Sequence, residues 1–431
     1  MATNCTESSA LTVTVVGLWF GPGRAIIALQ MERRNTNVMI GVAIVLLFVF
    51  VIDPFGLFKP KQTVAAPKAT VSELTSLKSA YAQDAHPASQ YVVGLFKSHE
   101  IVMVGELGRI SQQVDFVASL IPDLYKAGVS NLGTEYALAS DQKQIDRVLT
   151  ASTYDAKAVD QILFDRMVIW GFKEYADLFH AAWQFNQTLP KGEKPFRIVG
   201  LSVTQEYQYL KSQKDATDPE VVKKVMANGI PDVFMAQVIQ KEFIDRGEKA
   251  LVYMSFDHVF TTYRNKQYTD RGKTAGITNT ERTGNIVYDR IGTKAFSVCL
   301  HSPWSEPNGL GYPVGGAIDA LIKTLLAGSQ SAGFTLAGTA FGNLPVKNPL
   351  YATGEPNLTL AGMFNGYVIL GPISEYKAVT PIPDFINEAN LATAITYFPG
   401  PNIPSTTTAQ DLNNFIANMS KNMDVMLKRF K

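Results

Sequence analysis

The sequence predicts an α/β fold: a parallel or mixed central sheet with helices on both faces, preceded by a single transmembrane helix. Three observations carry this. Short apolar runs such as Ile-Val-Met-Val (101–104) suit strands covered on both faces, and they alternate with stretches of helical periodicity. Several of these runs end on a charged residue, at the strand edge where open α/β sheets gather their ligands. An uncharged run near the amino terminus is long enough to cross a bilayer.

The chain has 431 residues, 46% hydrophobic and 18% charged, enough to bury one large core or two modest ones. A formal net charge of +1 argues against nucleic acid as a partner held by bulk electrostatics. Cys5 and Cys299 lie far apart, so there is no disulfide framework and no paired-cysteine metal site. Cys299, inside the apolar run AFSVCL, is expected in the core.

Four regions are expected in order. Residues 1–36 form an amino-terminal segment with little pattern, in which Met31, opening MERRNTN, is the candidate true start. Residues 37–58 read as the transmembrane anchor. VMIGVAIVLLFVFVI (38–52) has no charge, and DPFGLF extends it with Asp53 near one interface, where about 20 apolar residues are needed to span. The run is longer than a signal-peptide core and only VAAPKA offers a weak cleavage site, so an uncleaved signal anchor is expected. Arg33 and Arg34 before the span nearly balance Lys59 and Lys61 after it, and the body is expected outside the cytoplasm. Residues 59–90, rich in Lys, Pro and Ala at their start, read as a tether; residues 91–431 read as the α/β domain.

Within that domain IVMVGE (101–106) is the first strand, and Gly105 and Gly108 let the chain turn sharply around Glu106. SQQVDFVASLIPDLYKAG follows, with Val114, Val117, Leu120, Ile121 and Leu124 at helical spacing and Gly128 at the stop. VSNLGTEYA is the second strand and carries Glu135. A right-handed crossover makes the two strands parallel, with both glutamates at one edge. FRIVGL (196–201), ALVYMSFDH (250–258) and AFSVCLHSPW (295–304) read as further strands. The second of these ends in Asp257 and His258, and the third runs into His301. Helical patterns cover 161–186 and 219–245. No internal repeat is visible.

Glu106, Glu135, His258 and His301 are the candidate site residues. Glutamate and histidine can hold a divalent metal or serve as general acid and base. Taken singly each has an ordinary reading, because acidic residues favour the first turn of the following helix. His180, within DLFHAAW, reads as a helix residue and His86 as a surface one. It is the coincidence of four such groups at strand ends that makes a constellation.

The run IVMVGELGRISQQVDFVASLIPDLYKAGVSNLGTEYA resembles the opening of the superfamily of erythromycin esterase-like hydrolases, Tiki-type metalloproteases and haem-uptake (ChaN-like) proteins. ALVYMSFDHVFTTY and FSVCLHSPW resemble its later strand-then-histidine elements; PVGGAIDALI, GFTLAGTAFGNL and NGYVILGP resemble its closing segments. The resemblance covers roughly 92–391 and matches Glu106, Glu135, His258 and His301 residue by residue. It departs at one place: where the superfamily has Gly-Glu-x-His, this chain has Gly105-Glu106-Leu107-Gly108, and a downstream position often filled by His or Glu is Gln112 or Gln113. A glycine can neither accept a proton nor ligate a metal. The resemblance thus implies a hydrolase of esterase or metal-dependent peptidase type, acting on a small molecule or peptide, and the run at 37–58 would anchor it to a membrane. The alternative is a catalytically degenerate binding or scaffold protein on the same fold, its cleft holding haem, a metal or another ligand.

Overall fold

The computed structural model describes Val64 and residues 67–430, apart from 213, 278, 307–308, 326–329, 348–349, 353, 401–402 and 405. Residues 1–36 with Met31, and the anchor expected over 37–58, lie outside the described residues. Among the described residues no helix is long and apolar enough to cross a membrane.

An eight-stranded mixed sheet with helices on both faces forms the body. Its strands are β1 (His86–Pro87), β2 (Ile101–Glu106), β3 (Asn131–Leu138), β4 (Arg197–Ser202), β5 (Ala250–Ser255), β6 (Ala295–Leu300), β9 (Ala332–Thr335) and β10 (Gly366–Ile369). A separate hairpin pairs β7 (Trp304–Glu306) with β8 (Gly309–Gly311). The sheet order is β1-β9-β10-β6-β2-β5-β3-β4. From β10 to β4 every neighbouring pair is parallel; β9 and β1 add an antiparallel edge.

The alternation of β2 divides the core between the two faces. Val102 and Val104 enter one hydrophobic cluster, and Ile101 and Met103 enter the other. Both faces are buried, which is why β2 reads as an unbroken apolar run rather than an alternating one. Gly105 has a steric reason to be glycine. A Cβ there would come within 2.6 Å of Phe256 Cα, so the turn after β5 packs directly on the backbone of β2.

Long helical patterns in the sequence are broken in the fold. The stretch 161–186 becomes the end of Ala156–Arg166 and then Lys173–Gln187. Between them the chain is pulled out of helix at Met167, and Lys173 N–H donates to Thr380 O while Gly171 packs against the Phe385 ring. The stretch 219–245 divides into Pro219–Val225 and Pro231–Glu242, since Pro231 starts a helix but cannot continue one. The helix expected before Gly128 is likewise two, Ser111–Ser119 and Ile121–Lys126.

The boundary drawn at residue 91 is too late. Thr70 and Glu73 form a reciprocal capping box that starts a helix at Val71–Asp84, and Leu77 and Ala80 of that helix are buried in the core. Val64 and Ala69 pack on the same cluster, and Pro67 lies over Gly316 so closely that a Cβ there would approach it to 2.7 Å. From about Val64 the segment read as tether is therefore part of the body, because its apolar residues have a core to enter.

Candidate active site

The parallel strands bring Glu106 of β2, Glu135 of β3, Ser255 and His258 at the end of β5, and His301 after β6 to the carboxyl edge of one sheet. Glu106 stands in register opposite Ser255. What each side chain does there differs.

Glu135 and His258 meet. His258 Nε2 lies 3.7 Å from Glu135 Oε2, and Nδ1 lies 2.7 Å from Asp232 Oδ1. Asp232 is held by Arg282 Nη1 at 2.8 Å, Thr283 N–H at 2.8 Å and Thr283 Oγ1 at 2.9 Å. Arg282 also pairs with Asp257. Burial alone would lower the His258 pKa, but the charge and hydrogen bond of Asp232, with the charge of Glu135, raise it to about 9. The ring is therefore an imidazolium at neutral pH and both nitrogens donate. For Asp232, burial opposes ionisation and is overcome by Arg282 and His258, which hold it far below the usual carboxylate range. Glu135 follows the same balance: burial raises it, while His258, Arg166 and two hydrogen bonds from Ser255 leave it lowered. Those bonds run from Ser255 N–H at 2.5 Å and Ser255 Oγ at 2.7 Å, both to Glu135 Oε1. Of the His258 side chain, 18% stays exposed, so this cluster has an open side.

Glu106 is enclosed. It has no exposed surface, and three tyrosine hydroxyls, from Tyr136, Tyr175 (2.6 Å) and Tyr253, donate to its carboxyl group. Burial pushes its pKa up to about 7 against the pull of those donors, and the charge of Glu135 adds to the rise. Burial likewise raises all three phenols well above their ordinary value, so they remain protonated donors. Trp170 stacks on Tyr136, and the Arg109 guanidinium sits 4.6 Å from the Trp170 ring. Gly108 and Arg109 both have left-handed backbone, with φ of +46° and +66°. A Cβ on Gly108 would lie 3.8 Å from Glu106 Oε1 and from Trp170, so a side chain at 108 would begin beside the carboxyl group at the cost of a strained turn.

His301 is committed elsewhere. It is fully buried, with Nδ1 at 2.8 Å from Tyr367 Oη and Nε2 at 3.1 Å from Asp319 Oδ1. Its link to the rest is through the backbone: buried Gln113 donates to His301 O at 3.2 Å and accepts from Leu107 N–H at 3.1 Å. Gln113 thus ties the turn after β2 to the turn after β6, while Gln112 binds the 375–377 segment.

A divalent metal does not fit these residues. Among the described residues no group of three or more His, Cys, Asp or Glu is arranged to hold one, and the ring nitrogens of His301 are already taken. The hydroxyls of Tyr136, Tyr175 and Tyr253 are all taken by Glu106, so none of these three is offered to a haem iron.

Sequence reasoning did not single out Asp232, Ser255, Tyr136, Tyr175 or Tyr253. For Tyr136 and Tyr253 a tyrosine inside an apolar strand was the available signal, since a buried hydroxyl requires a partner.

No protein-family model matches the chain, and no curated protein matches it. Solved structures that superpose on it include a succinoglycan biosynthesis protein (11% identity, TM-score 0.45, 72% of this chain and 97% of that one). A Bacillus cereus protein superposes at 11% identity and TM-score 0.36, over 81% of this chain and 99% of that one. Campylobacter jejuni ChaN, described with cofacial haem, superposes at 10% identity and TM-score 0.31, over 49% and 85%. Likenesses of this size do not define a family.

Proposed function

We propose that the chain is a membrane-anchored hydrolase-like protein on an esterase/ChaN-like fold, acting on a small molecule or peptide at the Glu135–His258 cluster. The observation that supports this reading is the chain Asp232–His258–Glu135, in which a buried carboxylate fixes and charges an imidazole that keeps an open side. Glu135 acts as base, His258 donates to the oxygen on which charge develops, and Asp232 is a positioning residue. Glu106 supplies a protonatable carboxyl group behind the cluster, and His301 with Asp319 and Gln113 braces the neighbouring turns. The test is a panel of chromogenic esters and peptides, run with and without Mn²⁺ or Zn²⁺. Glu135→Gln is expected to lower turnover by roughly 10²- to 10⁴-fold in protein shown to be folded by its circular dichroism. Turnover that survives in Glu135→Gln sinks the assignment.

A second reading, a catalytically degenerate binding or scaffold protein, is favoured by one observation. Glu106 has no exposed surface and is held by three tyrosine hydroxyls, and Gly108 offers no side chain to it. Wild type inactive across the whole panel would leave that reading standing.

The anchor is part of the proposal: residues 37–58 cross the membrane and the body lies outside the cytoplasm. Full-length protein is expected to pellet with membranes through a salt wash, and a chain starting at Lys59 to stay in the supernatant. Pelleting of both would overturn the single anchor.

A further inference from the structure

We propose that Ser255 is the nucleophile of this site and that its substrates are carboxylic esters, cleaved through an acyl-Ser255 intermediate. This rests on the hydrolytic reading above and adds a covalent step to it. Ser255 is the last residue of β5, at the carboxyl edge, and is partly exposed. Its hydroxyl donates to Glu135 Oε1 at 2.7 Å, the distance at which a base takes up a proton. Its own N–H donates to the same oxygen, which fixes the serine against the carboxylate. His258 Nε2 lies 3.7 Å from Glu135 Oε2, too far for a hydrogen bond, so the imidazolium proton on that nitrogen is available to an oxygen of the substrate. The opposite ring nitrogen is held by Asp232. Nucleophile, base, charge-stabilising donor and a positioning carboxylate are therefore contiguous.

In the first half-reaction Ser255 Oγ bonds to the ester carbonyl carbon while its proton passes to Glu135 Oε1. His258 Nε2–H faces the oxygen that becomes negative. The carbon–alkoxide bond then breaks and the leaving alcohol takes the proton from Glu135. In the second, water bonds to the acyl carbon and gives its proton to Glu135. The bond to Ser255 Oγ breaks, the serine regains that proton, and the carboxylic acid departs. No oxidant or metal is required.

The experiment uses the full chain in detergent with p-nitrophenyl acetate as the probe. Rapid mixing is expected to show a burst of nitrophenol, and acid quenching followed by peptide mass spectrometry an acetyl group on Ser255. Ser255→Ala is expected to lose the adduct and to fall in turnover by about 10²-fold or more. Glu135→Gln, with the serine intact, is expected to lose the Ser255 adduct while leaving chance acetylation of surface lysines unchanged. Undiminished turnover in Ser255→Ala, or turnover in wild type with acetyl only on other residues, overturns the serine nucleophile and leaves the hydrolytic reading in place, with water attacking directly. Absence of any wild-type turnover on the ester panel overturns both. The wild-type adduct decides the matter even if Ser255→Ala fails to fold.

Discussion

Replacing Asp232 with alanine is expected to destabilise the protein by about 3–5 kcal/mol, the largest effect of any single substitution considered. The side chain is almost completely buried and accepts from Arg282, His258 and Thr283 at once. Removing it leaves the Arg282 guanidinium, itself buried, without its closest charge partner at Nη1, and removes the charge that raises His258. Thermal unfolding should shift down by roughly 5–10 °C. A second readout separates loss of packing from loss of charge. The His258 ring, protonated at neutral pH in wild type, should titrate well below its wild-type value of about 9 by NMR, because burial then dominates. A His258 that keeps its high pKa in Asp232→Ala would contradict the positioning role.

The second large effect is in the pH dependence of stability at Glu106. The carboxyl group has an ordinary value of 4.5 and is raised to about 7 in the fold. Between those two pH values the folded chain holds a proton that the unfolded chain has lost. The resulting stabilisation is complete below pH 4.5 and is lost as pH rises through 7, on the order of 3 kcal/mol in all. Glu106→Gln fixes the group in a neutral form of the same shape. The variant should match wild type near pH 4.5 and become the more stable of the two above pH 7, measured by denaturant unfolding at each pH. Parallel curves across that range would mean that Glu106 is ionised throughout and that the three tyrosines outweigh burial.

The strands were the legible part of this protein. Runs such as Ile101–Val104 and Ala250–Met254 are apolar because both faces of the sheet are covered, and their carboxyl ends carry Glu106, Glu135 and His258 where a parallel sheet collects them. The environment of each end was not legible. Asp232 looks like any acid in the first turn of a helix, and only the approach of Arg282 from fifty residues away makes it a buried counter-ion. The tyrosines around Glu106 come from β3, β5 and the helix Lys173–Gln187, so no spacing in the sequence links them. His301 is the converse case. An apolar strand ending in histidine suggests chemistry, yet Asp319 and Tyr367 use both of its nitrogens inside the core. The helix breaks at Met167 and Gly171 depend on Thr380 and Phe385, two hundred residues on, and a local pattern cannot contain them.

The seating of Pro67 on Gly316 sets the length of a leash. Only residues 59–63 separate Phe58, where the apolar run stops, from Val64, where the body begins. Six residue steps reach at most about 20 Å when fully extended, less than the width of a small domain. If 37–58 crosses a bilayer, the body cannot swing freely above it. Gly316 immediately precedes the helix Ala317–Ile322, whose Asp319 holds His301 at the carboxyl edge of the sheet. The point of attachment is thus three residues from the partner of His301, at the sheet edge that also carries the candidate cluster. Such a protein would sample the few nanometres next to the lipid surface, and would meet its ligand by lateral diffusion in two dimensions as readily as from the surrounding water.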